Sequence, residues 1–68
     1  MWSAERIKEL RKRYGETQDE FRHRLDVSLD TLRSWEQDKQ SPIGPAHLLL
    51  SRLEEDFEEG KIRNGQHV

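Results

Sequence analysis

The stretch that decides the fold is residues 17–36, TQDEFRHRLDVSLDTLRSWE. It opens with a capping box, because the Thr17 hydroxyl can accept from the backbone N–H of Glu20 while the Glu20 carboxylate accepts from that of Thr17. Phe21 and Leu25 follow one helical turn apart on one face. This pattern predicts a short helix that runs from the residue after Thr17 to Leu25.

A second short helix follows after a tight turn. Asp26 suits the turn because aspartate tolerates the left-handed region better than most residues. Ser28 can cap the next helix, in which Leu32 and Trp35 lie three apart, and the pattern predicts a helix over 29–37. Two short capped helices joined by a turn are the plan of a helix-turn-helix, whose second helix can enter the major groove of DNA.

Two further helices flank this unit. Apolar residues that recur at steps of three and four predict a helix over 4–14, and they are Ala4, Ile7, Leu10 and Tyr14. Ser3 is expected to cap this helix, and Gly15 is expected to end it. Gly44-Pro45 resembles a helix start, with proline where the missing N–H costs nothing. The apolar residues after it predict a helix from Pro45 to about Glu58. We therefore expect an all-α domain of four or five short helices.

The length and composition of the chain restrict the class of protein to which it can belong. A chain of 68 residues makes one domain, expected over residues 1–60 with a flexible tail at 61–68. There is no cysteine, the longest apolar run is only Leu48-Leu49-Leu50, and no apolar segment follows the N-terminus. We therefore expect no disulfide, no secretory signal and no membrane span, and we expect a cytoplasmic location.

The charge is divided unevenly along the chain. The formal net charge of −2 argues against a nucleic-acid partner when it is taken as a whole. Residues 1–39 hold nine basic and nine acidic groups, whereas residues 40–68 hold three basic and five acidic groups. The acidic excess therefore lies in the C-terminal part, and the N-terminal part can still present a local basic face.

Several segments together resemble the Cro and lambda-repressor type of helix-turn-helix, the XRE family. The resemblance covers about residues 6–53 and is carried by Ile7-Lys8-Glu9-Leu10-Arg11, Thr17-Gln18-Asp19-Glu20-Phe21, Leu25-Asp26-Val27-Ser28 and Thr31 to Lys39. The segment Ser41-Pro42-Ile43-Gly44-Pro45-Ala46 is similar to one in HigA-like antitoxins. The resemblance implies a lambda-repressor-like domain that binds double-stranded DNA.

The resemblance also implies roles for individual residues. Gln18 would contact a phosphate or a base edge, Lys39 would contact a phosphate, Trp35 would be core and Glu36 structural. The full DNA-binding set expected is Thr17, Gln18, Ser28, Leu29, Asp30, Arg33, Ser34 and Lys39. This chain departs from the family in having Arg22 where a small residue is usual, and Asp26 and Asp38 where glycine is frequent.

Some residues admit two interpretations. Leu29 can meet a thymine methyl group or pack on Val27. Asp30 can accept from a cytosine amino group, or it can be a first-turn acid favoured by the helix dipole. Arg11-Lys12-Arg13 can clamp a phosphate, or it can form a solvated face paired with Glu9 and Glu16.

The functional expectation is a transcriptional repressor that binds as a homodimer to a palindromic site. The alternative is an antitoxin that binds a protein toxin and also represses its own operon. A possible dimer patch consists of Leu48, Arg52 and Phe57. Like-charged neighbours in the run Glu54-Glu55-Asp56 and Glu58-Glu59 predict fraying of the last helix.

We expect neither an enzyme nor a bound cofactor. The sequence has no nucleophile–base pair and no phosphate-binding loop, and a core this small leaves little room for a pocket. The three histidines, His23, His47 and His67, are too scattered in sequence to suggest a metal site.

Overall fold

The computed structural model describes residues 2–60. This part of the chain holds four helices and no strand: α1 (Ala4–Tyr14), α2 (Gln18–Leu25), α3 (Leu29–Glu36) and α4 (Pro45–Glu58). The all-α prediction is confirmed, and there is no fifth helix within the described range. Helix α3 ends at Glu36, one residue before the predicted end at Gln37. The predicted flexible tail, 61–68, lies outside the described residues.

Side-chain caps set the starts of the first three helices. The Ser3 hydroxyl accepts from the Arg6 N–H at 3.1 Å, and the Ser28 hydroxyl accepts from the Thr31 N–H at 3.1 Å. Both bonds of the Thr17–Glu20 capping box are present, at 2.9 and 3.2 Å. Each cap satisfies backbone N–H groups that have no partner inside the helix, and this explains why the helices begin where the sequence predicts.

One apolar core joins all four helices. Its buried members are Trp2, Ile7, Leu10, Tyr14, Phe21, Leu25, Leu32, Trp35, Leu50 and Leu53. The expected core position of Trp35 is therefore confirmed. Trp2 was not predicted, although it directly precedes the cap Ser3 and lies five residues before Ile7. That spacing is typical of a hydrophobic staple, which fixes the direction in which the chain enters a helix.

Helix α4 lies against α1 along a polar seam. The Tyr14 hydroxyl donates to the Leu53 carbonyl at 2.7 Å. Arg6 pairs with Glu54 at 2.6 Å, and Arg13 approaches Glu58 at 3.6 Å. The predicted repulsion between Glu54 and Glu58 is thus offset, because each carboxylate faces an arginine of α1. Within residues 2–60, no helix has the length and apolar character needed to cross a membrane.

Candidate nucleic-acid interface

A three-residue turn joins α2 to α3. Asp26 adopts the left-handed conformation with φ 58°, as the sequence predicts, and its N–H donates to the His23 carbonyl. The next N–H, of Val27, donates to the Arg22 carbonyl, and the Val27 side chain packs against the core. A three-residue turn therefore separates two short helices that pack against each other.

Helix α3 has one buried side and one open side. Leu32 is fully buried and Trp35 is 5% exposed, so this side anchors the helix to the core. Asp30 and Arg33 are exposed on the other side. Neither side chain makes an ion pair or hydrogen bond with another part of the described chain. Leu29 is half-buried at the first position of the helix.

Three of the predicted contact residues have structural partners. The Thr17 hydroxyl is occupied by its capping bond. The Ser28 hydroxyl caps α3 and also lies 2.8 Å from the Thr31 hydroxyl. The Gln18 amide donates to the Glu36 carboxylate at 3.0 Å. These side chains hold the motif together, and their backbone positions lie where the two helices begin.

A buried carboxylate ties the motif to α1. Arg11 donates to both oxygens of Glu36, at 2.8 and 3.1 Å, and the Glu36 side chain is only 3% exposed. With Gln18, three donors converge on this carboxylate. The structural role predicted for Glu36 is confirmed, and its partners explain why a charged group can be buried here.

The basic run of α1 does not pair with Glu9 and Glu16, although one of its two sequence interpretations expects this pairing. Arg11 is bound to Glu36 and to the backbone carbonyl of Glu16 at 3.1 Å, so it does not pair with the carboxylate of Glu9 or Glu16. The Glu16 carboxylate instead binds Arg24, and this hydrogen bond raises the pKa of Arg24. Of the run, only Lys12 is exposed and without an ion pair in the described chain.

Few positively charged side chains near α3 are without an ion pair in the described chain. Arg22 pairs with Asp19 at 3.0 Å at the surface of α2. Arg33 and Lys39 are the cations of α3 and its following turn, and both are exposed. Asp38 adopts the left-handed conformation with φ 63°. The two following N–H groups, those of Lys39 and Gln40, donate to the Ser34 carbonyl, so Ser34 helps to close the turn.

The three residues of the predicted dimer patch are not brought together. Leu48 is 71% exposed and Arg52 is exposed, on neighbouring turns of α4. Phe57 lies nine residues after Leu48, which is half a turn away around a helix. It packs against Tyr14 with ring centroids 5.4 Å apart. Phe57 therefore takes part in the α1–α4 packing and lies apart from Leu48 and Arg52.

Sequence reasoning missed Ile43. This residue is 80% exposed in the loop before α4 and lies five residues before the exposed Leu48. Among residues 2–60, no group of three or more histidine, aspartate or glutamate side chains is placed to hold a metal ion. No protein-family model, curated protein or solved structure matches this chain.

Proposed function

We propose that this protein binds double-stranded DNA sequence-specifically by placing α3 in the major groove, as a repressor of the XRE type. The observation that carries the proposal is the two-sided character of α3. Its inner side is locked by Leu32 and Trp35, while its outer side presents Asp30 and Arg33 without partners among the described residues. A rigid helix with free polar groups on its outer side suits the major groove, which is wide enough to admit it.

The side chains on the outer side of α3 suit base recognition. Arginine donates two parallel hydrogen bonds to guanine, so Arg33 would select a G·C pair. Asp30, one turn earlier, would accept a hydrogen bond from a cytosine amino group. Its negative charge is therefore compatible with a contact in the major groove. The half-buried Leu29 keeps part of its side chain accessible for a thymine methyl group. Together these residues would favour a site rich in G·C pairs beside a thymine.

Phosphate contacts would come from both ends of the motif. The Gln18 and Asp19 N–H groups at the start of α2, which the capping box does not use, would donate to a phosphate. The Gln18 amide has two hydrogens, of which one is used on Glu36, so the second is available to a phosphate. Lys39 would contact the backbone beyond the end of α3.

Because few cations are free near α3, we expect the affinity for DNA to depend only weakly on salt concentration. With Arg33 and Lys39 as the cationic contacts of each chain, the slope of log K against log salt should be only about −2 per chain. Base contacts therefore have to supply a larger part of the affinity than in a strongly basic DNA-binding domain. Occupation of a promoter by such a protein would exclude polymerase, and this is the repressor role that we propose.

The test is selection from a pool of random duplexes, followed by fluorescence anisotropy on the enriched sequence. Arg33→Ala should weaken binding about tenfold or more and relax the preference for guanine at one position. Lys8→Ala is the control, because Lys8 is a cation of α1 that pairs with Glu5 at 3.7 Å and belongs neither to the proposed DNA contacts nor to the predicted dimer patch. A pool that enriches no sequence, or equal losses for the two variants, would contradict the proposal.

A further inference from the structure

Asp30 and Arg33 carry opposite charges on the outer side of α3, one helical turn apart. Both side chains are exposed, yet they form no ion pair with each other or with any other group in the described chain. Three residues of a helix rise by about 4.5 Å, which is close to the spacing of about 3.4 Å between neighbouring base pairs. A carboxylate and a guanidinium so placed can therefore reach the same base pair or adjacent ones.

The carboxylate of Asp30 lies in the first turn of α3. Ser28 caps this helix by accepting from the Thr31 N–H at 3.1 Å, and Asp30 follows the cap by two residues. The helix dipole stabilises an acidic side chain in the first turn, which favours a carboxylate here even without an ion-pair partner. Because a carboxylate only accepts hydrogen bonds, Asp30 can bind the edge of a base only through a donor on that base.

Cytosine is the base whose edge in the major groove suits a carboxylate best. The amino group is the polar group that cytosine presents there, and it is a donor. Adenine also presents an amino group, but its N7 acceptor lies beside that group and repels a carboxylate, while guanine and thymine present acceptors. One hydrogen of the cytosine amino group is used in the pair with guanine, so a single hydrogen remains for Asp30.

We infer that Asp30 makes this protein reject DNA methylated on the cytosine amino group and accept DNA methylated at carbon 5 of cytosine. In a paired N4-methylcytosine the remaining amino hydrogen is needed for guanine, so the methyl group points into the groove. The Asp30 carboxylate then meets an apolar group and has no donor. In 5-methylcytosine the amino hydrogen stays, and the methyl group takes the place of the thymine methyl, which the half-buried Leu29 can contact. This selectivity rests on the proposed placement of α3 in the major groove.

Fluorescence anisotropy with three forms of one duplex tests the selectivity. The duplex is the sequence enriched from the random pool, synthesised with cytosine, N4-methylcytosine or 5-methylcytosine at the position whose base preference Asp30→Ala relaxes. Methylation of the amino group should raise the dissociation constant of the parent protein about tenfold or more, because a charged side chain loses its hydrogen-bond partner. Methylation at carbon 5 should not weaken binding, since the amino hydrogen is still present.

Two variants show whether Asp30 is the group that detects the methyl. Asp30→Ala should bind all three duplexes with similar affinity, because the acceptor for the amino hydrogen is gone and alanine leaves room for the methyl group. Glu9→Ala is the matched control and should keep the selectivity of the parent. It changes the net charge equally, since Glu9 is an exposed carboxylate of α1 without an ion pair in the described chain. Circular dichroism checks that both variants keep the helical content of the parent chain.

Failure of this selectivity is distinguishable from failure of DNA binding. A parent protein that binds no duplex contradicts the proposed function, and the selectivity with it. A parent that binds the unmethylated and the amino-methylated duplex equally overturns the selectivity alone. The same holds if carbon-5 methylation weakens binding as much as amino methylation does, or if Asp30→Ala relaxes no position or still rejects N4-methylcytosine.

Discussion

Arg11 and Glu36 form a two-point ion pair, at 2.8 and 3.1 Å, that joins α1 to the last residue of α3. Their side chains are 18% and 3% exposed. Gln18 donates to the same carboxylate from the start of α2. This single buried group therefore links both α2 and α3 to α1.

Removing the Glu36 carboxylate should destabilise the domain strongly. Glu36→Leu leaves the half-buried Arg11 guanidinium with only the Glu16 carbonyl as a partner, and breaking a buried ion pair costs at most about 3–5 kcal/mol. The double variant Arg11→Met with Glu36→Leu should be less damaging than Glu36→Leu alone, because no charge then remains unpaired. Urea denaturation followed by tryptophan fluorescence measures the free energy of unfolding.

The control for these variants is the exposed ion pair of Arg13 and Glu58. Its Nη1 and Oε2 atoms are 3.6 Å apart, and the two side chains are 40% and 62% exposed. Its removal should change the free energy of unfolding by less than about 1 kcal/mol. Equal losses for the two pairs would show that burial does not determine the contribution of Glu36.

Glycine should stabilise the protein at the two left-handed aspartates. Asp26 and Asp38 have φ of 58° and 63°, a region that glycine enters without steric cost. Asp26→Gly and Asp38→Gly should each raise stability by about 0.5–1 kcal/mol, since the removed strain exceeds the added freedom of the unfolded chain. Thermal melts measure the change. Asp30→Gly should lower stability, because Asp30 lies inside α3, and a gain there would contradict the explanation.

Stability should fall at high pH because of Tyr14. Burial raises the pKa of Tyr14 above its ordinary value of about 10. The folded state then keeps the phenolic proton at a pH where the unfolded chain has lost it. This stabilisation is complete below about pH 10 and is lost as the pH rises through the folded pKa.

Tyr14→Phe isolates this effect from the titration of other groups. The variant loses the hydrogen bond to the Leu53 carbonyl, at a cost of about 1 kcal/mol at neutral pH. The difference in stability between parent and variant should then shrink as the pH rises above 10. Because Tyr14 is the one tyrosine in the sequence, its ultraviolet absorbance also reports the titration directly. A difference that stays constant with pH would contradict the assignment.

The helices could be predicted from the sequence because their boundaries depend on neighbouring residues. Ser3, Thr17 and Ser28 act on N–H groups three residues away, and Gly15 and Asp26 adopt the left-handed conformation that ends a helix. Such signals are local, so no knowledge of the tertiary fold is needed to interpret them.

The interactions between helices could not be predicted in the same way. Glu36 binds Arg11, which lies 25 residues earlier in the sequence, and Glu54 binds Arg6, which lies 48 residues earlier. Sequence patterns instead suggested the nearest opposite charges, Glu9 and Glu16, as partners for the run that includes Arg11. The packing of Phe57 against Tyr14 depends on how α4 lies against α1, which the sequence pattern of α4 alone does not show.

The central claim is that the outer side of α3 binds DNA, and an NMR titration tests it most directly. A 15N-labelled sample is titrated with a short duplex at low and at moderate salt. Shifts should concentrate at Gln18, at residues 28–34 and at Lys39, and they should weaken as salt rises. If those signals stay in place at low salt, or if the shifts lie on α4 instead, α3 does not bind DNA and the claim is wrong.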